Sequence, residues 1–373
     1  MEFGLFVQAH VPRHEVDADP VGAEHRRLLR EVELAEACDR SGFKYVWSVE
    51  HHFLEEYSHL SASEIVLPWI AARTKRIHVG SAIWNLTPPV NHPARVAERV
   101  AMLDHLSEGR FEFGTGRGSS STEFKGFGIP DGDTTREMFD EALGEILRMW
   151  RDVPYGHEGR FFSMPPRNVL PKPWTRPHPP LWMACGSPST FEKAARLGVG
   201  ALCFSLGTPA DFEPLIRTYK KTIRDAEPIG AYVNDNVACV TQLVCMEDAK
   251  KARAVALAMG SSYHTSLVFR YLDTFPRPAG VPAWPALIPE PTPAQLEDRI
   301  AAGQRLVGDP DEVARGVQMY ADVGCDQLIF GLLASTQPQE IALETADLFG
   351  REVIPRFDRD PVHSTTRMRE AAA

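Results

Sequence analysis

Along the chain, short runs dense in aliphatic, aromatic and β-branched residues alternate with longer segments whose apolar residues recur every three or four positions. Eight short runs stand out, at 2–8, 44–49, 76–83, 110–115, 180–184, 200–205, 236–245 and 325–331. Each has the length and composition of a buried strand. The segments between them read as helices with one apolar stripe. Val96, Val100, Leu103 and Leu106 make one such stripe, and Phe139, Leu143, Ile146, Leu147 and Trp150 another. Four helices end at a glycine just before a strand, at Gly42, Gly109, Gly198 and Gly324, as a left-handed residue past a helix end requires. Strand and helix in strict alternation give parallel strands joined by right-handed crossovers. Eight such units predict an α/β fold, an eight-stranded parallel (β/α) TIM barrel, in a single domain over residues 1–357.

Two stretches break the pattern. Residues 151–179 and 274–294 are too rich in proline for a helix or a central strand, and read as insertions after strands 4 and 7 without regular structure of their own. Long loops of this kind serve as lids or binding loops, or simply as surface. The tail, 358–373, reads as flexible.

Composition narrows the class. With 373 residues, 43% hydrophobic and 24% charged, the chain can bury a large core, and its formal net charge of −10 argues against nucleic acid as a partner. No window reaches the ~18 consecutive apolar residues of a membrane span, and the first residues lack the pattern of a secretory leader, so a cytoplasmic protein without membrane attachment is expected. Six cysteines, at 38, 185, 203, 239, 245 and 325, form no CxxC pair. They read as reduced core residues, Cys185 included.

In a barrel of this kind chemistry gathers where the strands end. Strand 2 ends in Glu50, His51 and His52. Successive strand residues face opposite ways, which disfavours joint metal ligation, and no H-E-x-x-H spacing is present, so no metal is expected. One histidine as a general acid or base and both as hydrogen-bonded strand ends remain open. After strand 4, Gly114, Gly116 and Gly118 flank Arg117, whose planar fork suits a phosphate. After strand 5, Gly186, Ser187, Ser189 and Thr190 open a helix, either as plain N-capping or as an anion site. Arg117 and that hydroxyl cluster together would make a phosphate clamp.

Taken in order, the run from Glu50 to Phe53, "HVGSAI", "HPARVAERVAMLDHLSEGRFEFGTGRG", "STFEKAARLG" and "VGDPDEVARGVQMYADVGCDQLIFG" resemble the bacterial luciferase-like family of flavin-dependent monooxygenases, over nearly the whole barrel. The resemblance implies reduced FMN and dioxygen as co-substrates, a separate flavin reductase, a small organic substrate and a homodimer. It implies His51 as the catalytic residue beside the flavin, assisted by Glu50. It places Ser81, Ala82 and Ile83 against the flavin ring, often with a cis non-prolyl peptide, and adds Asn85 and Glu98 to the cofactor site. Arg117, Gly186, Ser187, Ser189 and Thr190 match the FMN phosphate site, and the insertion at 274–294 resembles a mobile loop. Phe6, Trp84 and Trp284 are candidates for the substrate space. Gly116 stands where the luciferase alpha subunit has a reactive cysteine, and Trp84 and Asn85 stand where luciferases have aliphatic residues, so light emission is not implied. A deazaflavin-dependent hydride transferase and a non-catalytic flavin-binding subunit are the alternatives within the same resemblance.

Overall fold

The computed structural model describes residues 1–204, 207–275, 277–331 and 337–372. Eight parallel strands follow the predicted runs: β1 (Glu2–Val7), β2 (Tyr45–Ser48), β3 (His78–Ser81), β4 (Phe111–Gly116), β5 (Leu181–Ala184), β6 (Gly200–Phe204), β7 (Val237–Cys245) and β8 (Gln327–Gly331). Each pairs with the next, and β8 returns to β1 with Phe3 opposite Leu328, so the sheet closes. Ser205, the last residue of the sixth predicted run, lies outside the described residues. Two short pieces extend the sheet, Trp84–Asn85 beside β4 and Leu306–Gly308 beside the end of β7.

The barrel is filled from inside by Tyr45, Trp47, Trp182, Leu202, Ala238 and Ile329. The two indoles meet edge to face, with ring centroids 5.2 Å apart. Their neighbours in register are glycines, Gly80 beside Trp47 and Gly200 beside Trp182. A Cβ at Gly80 would stand 2.4 Å from the Trp47 ring, and one at Gly200 2.3 Å from that of Trp182. Glycine is there because the indole occupies the space; emptying either Trp position would cost about 3–5 kcal/mol.

Outside the barrel the helical stripes pack as the spacing predicts, with two exceptions. In helix Pro93–Leu106, Val96, Val100 and Leu103 are buried, but Leu106, in the last turn, is exposed. In helix Thr135–Arg151, Phe139, Leu143, Ile146 and Trp150 are buried, whereas Leu147 is only partly so. Gly42, Gly109, Gly198 and Gly324 all take positive φ, as the helix-to-strand turns demand.

Two sequence expectations are corrected. The first insertion is not devoid of regular structure: Tyr155–Glu158 and Ser163–Arg167 form an antiparallel ribbon. Pro165 and Pro166 are tolerated because they fall where its register shifts, so no ladder bond is lost there. The tail is not a frayed end either. Helix Ser364–Ala371 lies under the barrel base, where the Thr365 hydroxyl donates to the buried carboxylate of Glu112 at 2.6 Å and the Ser364 hydroxyl to that of Glu2 at 2.6 Å. The His363 ring stacks on that of His78, with centroids 3.6 Å apart. A polar composition concealed this, because the tail is held by hydrogen bonds rather than by an apolar stripe. The second insertion, Pro276 of which lies outside the described residues, is irregular up to helix Pro293–Ala301, as expected. Among the described residues no helix is long and apolar enough to cross a membrane.

Candidate active site

Beyond Ser48 the chain leaves β2 at the C-terminal mouth of the barrel, and the next three polar residues diverge. His51 Nδ1 lies 3.1 Å from Glu123 Oε1, and the same oxygen accepts the His52 backbone N–H at 2.9 Å. Glu123 is 3% exposed and comes from the short helix Ser121–Gly126 that follows the glycine-rich exit of β4. His52 turns the other way. Its Nε2 sits 3.0 Å from Glu50 Oε1, and its ring stands edge-on to Phe127. Burial opposes charge on His52, but the hydrogen bond and charge of Glu50, with Glu123 beyond, prevail and raise its pKa.

Glu50 is more tied than a catalytic partner of His51 would be. Its Oε1 also accepts from Asn91 Nδ2 at 2.7 Å and its Oε2 from the Asn85 backbone N–H at 3.0 Å. It therefore holds the β3 exit to the β2 exit, and the carboxylate that touches His51 is Glu123. Asn85 in turn accepts from Thr87.

The β3 exit is built for close approach. The Ser81 hydroxyl donates to the Gly114 carbonyl at 2.8 Å and accepts its N–H at 2.9 Å, so it staples β3 to β4 and is already fully engaged. The Ala82–Ile83 peptide is cis, and both side chains lie against the barrel interior. A Cβ at Gly116 would fall 2.6 Å from Ile83 Cγ1, so a cysteine at that position has no room beside this β3 exit. Glu98 does not join the site: it pairs with Arg95 on the outer side of its helix. Trp84 points outward too, its Nε1 donating to Ser63 at 2.7 Å among Phe111 and Phe113 in the layer beneath the helices. Phe6 remains in the barrel interior, 6.0 Å from Phe204, and Trp284 packs at the mouth beneath the Arg270 guanidinium.

Next to the β3 exit, β4 and β5 run in register through Thr115 and Met183, so Arg117 and Cys185 leave the barrel side by side. The half-buried Arg117 donates through one nitrogen, Nη1, to Thr135 Oγ1 at 2.8 Å and to the Gly132 carbonyl at 3.4 Å, and burial lowers its pKa. Ser187 caps helix Pro188–Arg196, with its hydroxyl 3.0 Å from that of Ser189. The Thr190 hydroxyl accepts the N–H groups of Gly186 and Ser187, which shapes the loop. The serine capping read from the sequence is thus present, at an exposed helix start that carries two hydroxyls. Burial pushes the Cys185 thiol well up, as suits a core residue. The second insertion and the residue before it bridge this side: Asp273 accepts from Ser121, Thr274 donates to the Ser119 carbonyl, and Phe275 lies against Gly186.

Glu123, Tyr57, His264 and His10 were missed by motif reading. Their rings form a row with His51: His51 to Tyr57 5.3 Å, Tyr57 to His264 5.5 Å, and His264 to His10 5.0 Å between centroids. A carboxylate directly behind the glycine-rich exit of β4, on the face already assigned to chemistry, was the one available signal for Glu123. The others come from the exits of β1, β2 and β7, and nothing in their spacing connects them.

Residues 1–327 match the family model described as luciferase-like monooxygenase. The chain belongs to that family. This luciferase-like chain is 28% identical over 366 residues to 4-hydroxyprotoasukamycin monooxygenase of Streptomyces nodosus subsp. asukaensis, covering 96% of this chain and 92% of that one. It is 29% identical over 169 residues to the oxygenase component of a flavin-dependent trigonelline monooxygenase of Acinetobacter baylyi, covering 45% of this chain and 46% of the other. Among solved structures, monooxygenase RslO1 of Streptomyces bottropensis superposes with a TM-score of 0.78 at 26% identity, over 96% of this chain and all of that one.

Proposed function

We propose that this luciferase-like protein is an FMN-dependent monooxygenase that oxygenates a small organic substrate with reduced FMN and dioxygen. The observation that carries the reading is His51, held at the barrel mouth by the buried Glu123 of the same β4 exit that carries Arg117. Arg117, Ser187 and Ser189 would hold the FMN phosphate, with the Gly186 loop shaped for it by Thr190; Ala82 and Ile83 would back the ring. When bound, reduced flavin supplies the electrons that activate dioxygen.

The chain's own part is positioning and proton handling. A proton on His51 Nδ1, shared with Glu123 Oε1, leaves Nε2 as the nitrogen that takes or gives a proton at the mouth. The second insertion, tied to the β4 exit through Asp273 and Thr274, keeps water out. A separate reductase fits a relative named as an oxygenase component. Six free, buried cysteines fit a reducing cytoplasm. A homodimer fits the exposed Ile65 and Trp69, one turn apart, beside Met102 and Leu106 on the neighbouring helix.

The test is His51→Ala assayed with chemically reduced FMN under air and with reduced deazaflavin under argon. Oxygenation should fall by about 10²–10⁴-fold while FMN affinity stays within about twofold. Unchanged oxygen-dependent product formation would remove His51 from the chemistry, and turnover only with deazaflavin would replace monooxygenation by hydride transfer.

A further inference from the structure

Polar side chains buried without a hydrogen-bond partner are rare in folded proteins, because each forfeits its bonds to water. Among the described residues all of them but Ser120, at the β4 exit, gather in one place beyond the ring row. Both nitrogens of His10, Nε and Nη1 of Arg27, Oε2 of Glu31 and both amide atoms of Gln337 are buried and unpartnered. Arg27 is 2% exposed, Glu31 3%, His10 3% and Gln337 2%. The four lie together. Glu31 Oε1 accepts the N–H of Ala9, next to His10, at 2.9 Å; Arg27 stands one helical turn before Glu31; and Arg30 on the same helix donates to the Gln337 carbonyl at 3.1 Å. They come from the exits of β1 and β8 and from helix Gly22–Arg40, on the side of the mouth away from Arg117.

Two guanidiniums, Arg27 and Arg30, stand among Glu15, 3.2 Å from Arg27 Nη2, the buried Glu31 and, near Arg30, the exposed Glu340. Burial raises the pKa of Glu31 and so favours its neutral, donating form. His10, held near a pKa of about 2 by burial and by His264 and Arg27, is neutral. The unused donors, Nε and Nη1 of the Arg27 guanidinium foremost, match an anionic oxygen group. Between there and His51 stand the rings of His264 and Tyr57, packed against the apolar group Leu54, Leu267 and Val268.

We propose that Arg27, with Gln337 and His10, binds the carboxylate of the substrate, so that the molecule oxygenated is an organic acid whose apolar body lies along His264 and Tyr57 towards His51. This rests on the monooxygenase reading for the role of the site, but not for its existence. Arg27 is a specificity residue here, since it would touch substrate without touching the reacting atoms.

The experiment uses the full chain, with and without FMN, and two probe pairs, benzoate against benzyl alcohol and octanoate against octanol, followed by calorimetry and by perturbation of the bound FMN spectrum. Each carboxylate should bind about tenfold or more tightly than its alcohol, since a hydrogen bond to a charged group discriminates by that order. Arg27→Gln should bring acid and alcohol within about twofold, with FMN affinity unchanged. Gln337→Leu should lower the preference by a smaller factor, and decides the matter if Arg27→Gln does not fold. Equal binding of acid and alcohol to the wild-type chain, or a preference that survives both variants, would overturn the proposal. A chain that prefers carboxylates through Arg27 yet fails to bind FMN would uphold the anion site and sink the flavin reading instead.

Discussion

The two ends of the barrel bury similar polar residues to opposite effect. At the base, Glu2 receives bonds from Lys44, Tyr45 and Ser364, while Glu112 receives them from Trp182 and Thr365 and meets His78 at 2.8 Å. At the mouth, His10, Arg27, Glu31, Ser120 and Gln337 all keep unpartnered atoms. A saturated network fixes the fold and offers nothing to a ligand, whereas a buried group with capacity left over is either an unrelieved cost or a binding site. The base therefore reads as structure and the mouth as function, although sequence alone would rank their histidines and carboxylates equally.

The sharpest way to break this contrast is at the base. Lys44→Met leaves the carboxylates of Glu2 and Asp358, 2.7 and 2.9 Å from the ammonium, without their counter-charge. A loss of about 3–5 kcal/mol in denaturant-induced unfolding is expected, with FMN affinity unchanged. A Lys44→Met chain as stable as wild type would mean that the base is solvated and the comparison false.

At the mouth the order reverses, and function should suffer more than stability. Glu123→Ala frees both His51 Nδ1 and the His52 N–H, and turnover should fall by about 10–100-fold. Unchanged turnover in the Ala variant would remove Glu123 from the positioning of His51. Arg117→Met should weaken FMN by about tenfold or more in a fluorescence titration, leaving riboflavin, which has no phosphate, little affected. Equal loss for both ligands would place the guanidinium away from the phosphate.

The smallest effect concerns pH. Burial raises Glu112 to about 7, so its contribution is complete below the ordinary carboxylate range and is lost as pH rises through about 7. His78 and His363, both lowered by burial to about 3, act oppositely: their contribution is present above 6.5 and lost as pH falls towards 3. Below pH 6.5 the two histidines outweigh Glu112, so Glu112→Gln should remove the decline in unfolding free energy between about pH 6.5 and 8 and steepen the rise below it. A wild-type curve flat across that window would show that the base does not titrate as a closed site.

Periodicity was enough for the barrel because strands and helices of a repeated β/α unit announce themselves locally: a run of six apolar residues and a glycine turn are set by neighbours in the chain. The ribbon at 155–167 and the tail helix were not legible for the same reason in reverse, being held by partners far away in sequence, as Thr365 is by Glu112. The placement of His51 and Arg117 at the barrel mouth was readable because each follows a recognisable strand. The tie between His51 and Glu123, the withdrawal of Glu98 and Trp84 from the mouth, and the meeting of His10, Arg27, Glu31 and Gln337 were not. Sequence by itself determined the repeating unit, its number and the end at which chemistry gathers. Tertiary structure decided which polar groups satisfy one another there, because that depends on distances of about 3 Å between strand exits and helices that chain order leaves unspecified.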